Sequence, residues 1–139
     1  MKSSTTMLSE ILALCIGSLL ADPSCNISGL TPELRQKILD FHSGKGKSLQ
    51  WDCGMEQKAH DAISGDGVDV SSIGDFINEY AQRPTEMTTD VEEALDFWWN
   101  KDPRNGHANM ENAKEKIGCT YRKEVPLFFF VCAYVGSLT

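Results

Sequence analysis

The distribution of cysteines constrains this chain more than any other feature of its sequence. Five cysteines occur in 139 residues, and the first, Cys15, lies in an apolar N-terminal stretch at residues 11–20. Lys2 and a polar run precede this stretch, which is shorter than the roughly 20 residues that cross a bilayer. The pattern predicts a secretory signal peptide at residues 1–21, no membrane span and an extracellular protein. Cleavage after Gly17 and a buried N-terminal helix are open alternatives, but either cleavage removes Cys15.

The four remaining cysteines are Cys25, Cys53, Cys119 and Cys132. An even number of cysteines in an exported chain predicts a disulfide framework, and four cysteines allow three pairings. Neither a C-x-x-C nor an H-x-x-x-H spacing is present, so the sequence does not indicate a zinc site. Asn26 begins the only Asn-x-Ser/Thr sequon, and we expect it to carry a glycan in an exported protein.

The chain is acidic, since 13 Lys and Arg against 20 Asp and Glu give a formal charge of −7. Such a surface repels phosphate backbones and anionic lipid head groups, so we expect no nucleic-acid partner. Apolar residues make up 41% of the chain, which is enough for one core. Residues 22–139 are therefore predicted to form a single domain.

Three segments carry the signals of helices. Thr31 followed by Pro32 predicts a helix start, and apolar residues then repeat at helical spacing until Gly44. A second helix is predicted to begin at Asp52 and to end before a Ser-Gly-Asp-Gly run. Residues 89–92, Thr-Asp-Val-Glu, form a capping box that predicts the start of a third helix, which ends before Asp102.

The remaining segments predict a loop and two strands. Residues 64–88 are rich in Gly, Asp, Ser and Pro, which predicts a long loop holding one short helical turn. From Ile117 the apolar period changes to two, which predicts a strand and then a turn at residues 122–126. Residues 127–135 are almost wholly apolar, as expected for a strand that helices cover on both faces. The prediction is therefore an α+β fold with a small sheet between helices.

Four separated blocks of sequence resemble a known family. They read Leu-Gln-Trp-Asp-Cys at residues 49–53, Ala-Leu-Asp-Phe-Trp-Trp-Asn at 94–100, Lys-Ile-Gly-Cys-Thr-Tyr at 116–121 and Phe-Phe-Val-Cys-Ala-Tyr at 129–134. In this order they resemble the CAP superfamily (SCP/TAPS domain), and residues 25–135 look most like its nematode branch. That branch contains the activation-associated or Ancylostoma-secreted proteins, also called venom-allergen-like proteins.

The resemblance implies secretion and an α-β-α sandwich around a three-stranded antiparallel sheet. It implies a reduced single-domain member at residues 22–139, in which the C-terminal segment is abbreviated. The family pairs the cysteines that match Cys119 and Cys132, and two antiparallel strands joined by a short turn agree with this pair. Cys25 and Cys53 then form the other bridge.

Family members with a divalent-metal cavity line it with two His and two Glu, and the matching positions of this chain are altered. Lys101 stands where the family has a Glu, and Gly-Asp-Phe, with Asp75, replaces the family's Gly-Glu-Asn. A segment beginning at His107 replaces His-aromatic-Thr-Gln, while His60 lies near the position of the other His. A protonated lysine offers no lone pair and opposes a divalent cation, although Lys101 also fits a solvated helix C-terminus. We predict a degenerate cavity with no metal and no cofactor, and His42 resembles a structural residue.

The resemblance implies a secreted, non-enzymatic module that contacts an unidentified protein partner in a host or tissue, with an immunomodulatory role. An alternative is a sterol or fatty-acid binding protein, in which Trp98, Trp99 and residues 128–130 would line a groove, although their spacing is more typical of core. The least favoured alternative is a secreted hydrolase. The chain has no G-x-S-x-G or H-E-x-x-H motif, and pairing of the four cysteines leaves no free thiol.

Overall fold

The computed structural model describes residues 25, 27–64, 67–69 and 76–136. Four helices and six strands follow in chain order: α1 (Pro32–Gly44), β1 (Gln50–Trp51), α2 (Cys53–Ala62), β2 (Ile63–Ser64), β3 (Gly67–Val68), β4 (Ile77–Gln82), α3 (Met87–Asn100), α4 (Gly106–Glu111), β5 (Ala113–Glu124) and β6 (Leu127–Gly136). Among these residues, no helix is long and apolar enough to cross a membrane.

The main sheet contains four strands in the order β1-β5-β6-β4. The long hairpin β5–β6 is its centre, and Cys119 lies directly opposite Cys132 in this antiparallel pair. β4 runs antiparallel along the other edge of β6, with Ile77 opposite Ala133. These three strands are the antiparallel sheet that the resemblance implies. The two-residue strand β1 adds a short parallel pairing to β5, and β2 and β3 form a separate small ribbon.

Helices cover both faces of this sheet. On one face, α2 packs Ala59 and Ala62 against alternate residues of β6 such as Val131. On the other face, α1, α3 and α4 pack against the intervening residues of β6, and Trp98 stacks on Phe130 with ring centroids 5.3 Å apart. Because successive side chains of a strand point to opposite faces, both sets of β6 residues are buried. The predicted α-β-α sandwich is confirmed, and the sandwich explains why residues 127–135 lack polar side chains.

Two helix starts are confirmed at the predicted residues. The Thr31 hydroxyl accepts a hydrogen bond from the Leu34 amide at 3.1 Å, and Pro32 follows as the first helical residue of α1. The Asp52 carboxylate accepts from the Met55 amide at 2.9 Å and caps α2. In both cases the capping partner is three residues away, so the signal is local to the sequence.

The predicted capping box at residues 89–92 is wrong. Helix α3 begins at Met87, two residues before the box, and its N-cap residue Glu86 makes no side-chain capping bond. The carboxylate of Asp90 is fully buried and accepts instead from the Thr85 amide and hydroxyl, and from the Tyr121 hydroxyl at 2.7 Å. The Asp90 carboxylate therefore binds Thr85, which precedes the helix, and Tyr121 on β5, and it does not cap α3.

The prediction of a long loop with one short helical turn at residues 64–88 is wrong where Ile77–Gln82 form strand β4, and the described part of this segment shows no helical turn before α3. The apolar residues of this segment fit a helical period, but β6 offers an unpaired edge whose backbone groups β4 satisfies. Residues 65, 66 and 70–75 lie outside the described residues. The turn predicted at residues 122–126 is shorter, since β5 continues to Glu124 and only Val125–Pro126 separate the two strands.

Candidate functional site

Two disulfides link parts of the described structure. Cys119 is bonded to Cys132 across β5 and β6 with Cα atoms 4.1 Å apart, and both residues are fully buried. Cys25 is bonded to Cys53 with Cα atoms 5.4 Å apart, which ties the N-terminal segment to the start of α2. These are the two pairs that the resemblance implies. The predicted glycosylation residue Asn26 lies outside the described residues.

A buried carboxylate holds the N-terminal segment against the sheet. Glu56 is fully buried in α2, and its two oxygens accept from the Ile27 amide at 3.0 Å and the Trp51 indole at 2.7 Å. The guanidinium of Arg35 lies 3.7 Å from the same carboxylate and donates to the Cys25 carbonyl at 2.8 Å. An ion removed from water needs such partners, because an unpaired buried charge is very costly. Sequence reasoning missed this pair.

The signal that could have revealed this pair is positional. Arg35 lies three residues before buried Ile38 on α1, and Glu56 lies three residues before buried Ala59 on α2. Each charged residue is therefore on the apolar face of its helix, where a buried partner has to be expected.

A second polar network connects α1 with the sheet through His42. The Nδ1–H of His42 donates to the Ile38 carbonyl at 2.7 Å, and its Nε2 accepts from the Tyr134 hydroxyl at 2.9 Å. Asn78 also hydrogen-bonds to the Tyr134 hydroxyl, and Asn109 donates to the Asn78 side chain at 2.9 Å. Burial lowers the pKa of His42, against a smaller opposite effect of the Ile38 bond. Both ring nitrogens are therefore used inside the fold.

The structure does not bring the residues of the predicted degenerate cavity together. His60 lies in the last turn of α2, on one face of the sheet, whereas Lys101 and His107 lie at the junction of α3 and α4 over the other face. Lys101 is the C-cap residue of α3, is exposed and forms an ion pair with Asp96 at 3.5 Å. This placement fits a solvated residue at a helix C-terminus. Asp75 lies outside the described residues.

His107 packs on Trp99 with ring centroids 4.1 Å apart. Its Nδ1–H donates to the Trp99 carbonyl at 2.9 Å, and its Nε2 lies 3.6 Å from a Glu111 oxygen. Within the part of the chain that the structure describes, no three His, Cys, Asp or Glu side chains converge as a ligand set. A zinc site needs three or four such ligands, and the described residues alone do not supply them.

The aromatic residues proposed to line a lipid groove belong mainly to the core. Trp98, Phe128 and Phe130 are fully buried among α1, α3 and the sheet, and the Trp98 indole donates to the Glu79 carbonyl at 2.9 Å. Trp99 alone of the two tryptophans is half-buried, at the surface beside His107. The core interpretation of their spacing therefore holds for Trp98 and the two phenylalanines.

A surface depression lies between α1 and α3, and we call it the α1–α3 groove. It has a volume of about 580 Å³ and is lined by Glu33, Gln36, Lys37, Asp40, Phe41, Glu92 and Leu95. Lys37 forms an ion pair with Glu92 across the groove at 2.9 Å. Asp40 accepts only a neutral hydrogen bond, from the Gln36 amide at 2.9 Å, and Glu33 has no ion pair among the described residues.

An aromatic and cationic cluster borders this groove. The Lys45 ammonium lies 5.3 Å from the ring centroid of Phe41 and 5.3 Å from that of Trp99. Cation–π contacts of this length are attractive, so the α1 and α3 ends are held together at the rim. Phe41 is shared by the cluster and the groove.

No family model matches the chain. Ancylostoma secreted protein from Ancylostoma caninum is 25% identical over 167 residues, which cover 90% of this chain and 39% of that protein. The crystal structure of Na-ASP-1 aligns with a TM-score of 0.61 and 23% identity, covering 85% of this chain and 40% of that one. Hookworm platelet inhibitor aligns with a TM-score of 0.60 and 16% identity, covering 85% and 78%.

The chain thus spans less than half the length of Ancylostoma secreted protein and of Na-ASP-1. The structural neighbours share its fold, including the central sheet between helical layers. The sequence match and the shared fold together support the resemblance of the chain to the nematode venom-allergen-like proteins of the CAP superfamily.

Proposed function

We propose that this chain is a secreted, non-enzymatic CAP-domain protein that acts by binding a protein of a host or tissue, in an immunomodulatory role. The observation that carries the proposal is the use of its buried ionisable side chains. His42, Glu56 and Asp90 are each bonded to partners on other elements or to backbone groups, and each holds the fold together. A general acid, base or nucleophile needs a free proton or lone pair facing a substrate. Binding through the surface remains the activity that this arrangement favours.

The lipid-binding alternative needs an enclosed apolar lining. Trp98, Phe128 and Phe130 are packed in the core, and the α1–α3 groove is lined mostly by charged and amide side chains. A sterol or fatty acid gains affinity from apolar burial, which this lining supplies only at Phe41 and Leu95. We therefore keep protein binding as the proposal and lipid uptake as an outcome of its test.

Expression of the chain in a eukaryotic host tests the proposed secretion. Expressed in a eukaryotic host, the chain is expected in the medium, without at least residues 1–17, with two disulfides and with a glycan on Asn26 in some molecules. Mass spectrometry of the intact and digested protein measures all three. An intact N-terminus on the secreted protein would contradict the signal peptide, whereas an unmodified Asn26 would contradict the glycosylation proposal alone.

Function is tested on that secreted protein with three parallel assays. Immobilised protein is exposed to a panel of purified extracellular host proteins, to fluorescent sterol and fatty acid, and to peptidase and esterase substrates. We expect saturable binding of a protein, with neither lipid uptake nor turnover. Stoichiometric lipid uptake without protein binding would establish the alternative. Turnover that is lost on substitution of a histidine would contradict the non-enzymatic proposal.

A further inference from the structure

We propose that the α1–α3 groove binds a basic helical segment of a partner protein, in which two cationic side chains flank an apolar one. This inference rests on the proposed function, because it specifies the chemistry of the partner. It follows from the charge of the groove, from the spacing of its carboxylates and from its apolar floor.

The charge of the groove is unbalanced in favour of acids. Its lining contains Glu33, Asp40 and Glu92 against the single cation Lys37. Since Lys37 is paired with Glu92 at 2.9 Å, the charges of Glu33 and Asp40 remain uncompensated among the described residues. The whole chain carries −7, so its long-range field also attracts a basic partner.

The spacing of the two uncompensated carboxylates selects a partner geometry. Positions 33 and 40 are two helical turns apart on α1, which corresponds to about 10 Å along the helix axis and to the same side of the helix. A partner helix lying along α1 places cations at the same separation when its basic residues are seven positions apart. Helices that dock in grooves use repeats of this kind.

The floor between the carboxylates accepts an apolar side chain. Phe41 and Leu95 are the apolar lining residues, one from each helix. The Phe41 ring contacts the Lys45 ammonium but is only half-buried, and its exposed part can pack against the aliphatic stem of a partner lysine or arginine. An apolar side chain between two cations therefore meets these two residues.

The test uses the secreted chain and a labelled synthetic helical peptide in which two lysines, seven positions apart, flank a leucine. Fluorescence anisotropy measures its affinity, together with that of peptides in which glutamate replaces both lysines or alanine replaces the leucine. We expect saturable binding of the lysine peptide that weakens as salt is raised, weaker binding of the alanine peptide and no binding of the glutamate peptide. Equal affinity for the lysine and glutamate peptides, or no binding of either, would overturn the proposal.

The chain offers a matched pair of variants. Asp40 accepts from Gln36 on α1 at 2.9 Å, and Asp61 accepts from Gln57 on α2 at 2.8 Å; both bonds are exposed and span four residues. Asp40→Lys and Asp61→Lys therefore make the same local change, but only the first is in the groove. We expect Asp40→Lys to weaken lysine-peptide binding about tenfold. Asp61→Lys is expected to stay within about twofold of the unmodified chain.

Equal weakening by both variants would refute a groove-specific contact. Circular dichroism confirms that each variant is folded, and the milder Glu33→Gln supplies an independent loss of one carboxylate. Failure of this inference is distinct from failure of the proposed function. A host protein that binds the chain and its Asp40→Lys variant equally well would retain the function and place its contact elsewhere, whereas absence of any protein partner would remove the function.

Discussion

At the scale of single residues, His42, Glu56 and Asp90 are structural because each is hydrogen-bonded within the fold. Asp90 accepts from Thr85 and Tyr121, and burial together with the Asp90 carboxylate raises the pKa of the Tyr121 hydroxyl. Burial likewise raises the pKa of Tyr134, which hydrogen-bonds to His42. Both hydroxyls are therefore favoured in the protonated form, in which they donate the hydrogen bonds that hold these elements together.

His42 is the group in these networks that titrates near neutral pH. Burial lowers its folded-state pKa below the unfolded value of 6.5, so the unfolded chain binds more protons as pH falls. The stability that neutral His42 contributes is present above that value and is lost as pH falls toward the folded-state pKa. We expect the unfolding free energy to fall by up to about 1.4 kcal/mol per pH unit in this window.

His42→Gln keeps an amide that can bond the Tyr134 hydroxyl but removes the titration. Urea unfolding measures the free energy of unfolding at a neutral and a mildly acidic pH. The decrease between these two pH values should be smaller in the variant than in the unmodified chain, because the cost of the substitution itself is the same at both. Carboxylates elsewhere contribute equally to both proteins and cancel. Parallel pH profiles for the two proteins would show that His42 does not carry this dependence.

At the scale of elements, the sequence predicts those helix and strand boundaries that depend on residues nearby in the chain. The starts of α1 and α2 are predictable because Thr31 and Asp52 bind amides three residues ahead. The start of α3 is not, because Asp90 bonds with Thr85 and with Tyr121, and Tyr121 lies 31 residues away in sequence. Strand β4 is missed for the same reason, since its backbone partner β6 comes much later in the chain.

The candidate site likewise combines features that the sequence predicts with features that it does not. The four sequence blocks indicate the resemblance and predict the altered cavity positions, but they do not show that His60 and His107 lie on opposite faces of the sheet. The Arg35–Glu56 pair requires α1 and α2 to meet, and the α1–α3 groove requires α1 and α3 to lie side by side. These features follow from packing between elements, which local patterns do not encode.

Contact between α2 and β5 depends on a residue without a side chain. A Cβ added at Gly118 would overlap the backbone of Glu56 and Met55, so the glycine lets the helix approach the sheet closely. We expect Gly118→Ala to destabilise the protein by about 1–3 kcal/mol, because backbone on both sides has to shift. Chemical denaturation of the purified variant measures this loss.

Gly44 provides the control for this prediction. It is the last residue of α1, and a Cβ added there would meet nothing within 4 Å. Gly44→Ala is therefore expected to be neutral or to stabilise the chain by up to about 1 kcal/mol, through lower backbone entropy of the unfolded state. A Gly118→Ala variant as stable as Gly44→Ala would mean that α2 does not need the close approach.

At the scale of the whole molecule, an N-terminal segment outside the sandwich completes it. The Ser28 carbonyl accepts from the Tyr121 amide at 2.7 Å and from the Thr120 hydroxyl at 3.2 Å, so this segment satisfies part of β5. Glu56 and the Cys25–Cys53 disulfide hold the segment in place from α2. The segment is thus fixed by one covalent and several polar contacts, while the Cys119–Cys132 disulfide lies inside the sandwich.

Removing each disulfide should therefore have a different local effect. The Cys25→Ala/Cys53→Ala variant opens a loop of sequence separation 28, and the chain-entropy estimate of its cost is about 3.6 kcal/mol. The Cys119→Ala/Cys132→Ala variant opens a loop of sequence separation 13, and the same estimate of its cost is about 3 kcal/mol.

Global stability thus falls by similar amounts, but only the first variant should release the N-terminal segment. Hydrogen exchange of the Tyr121 amide in native buffer distinguishes them, since its acceptor is the Ser28 carbonyl. We expect faster exchange in the first variant, relative to global unfolding, and equal protection in both would show that the polar contacts hold the segment without the disulfide.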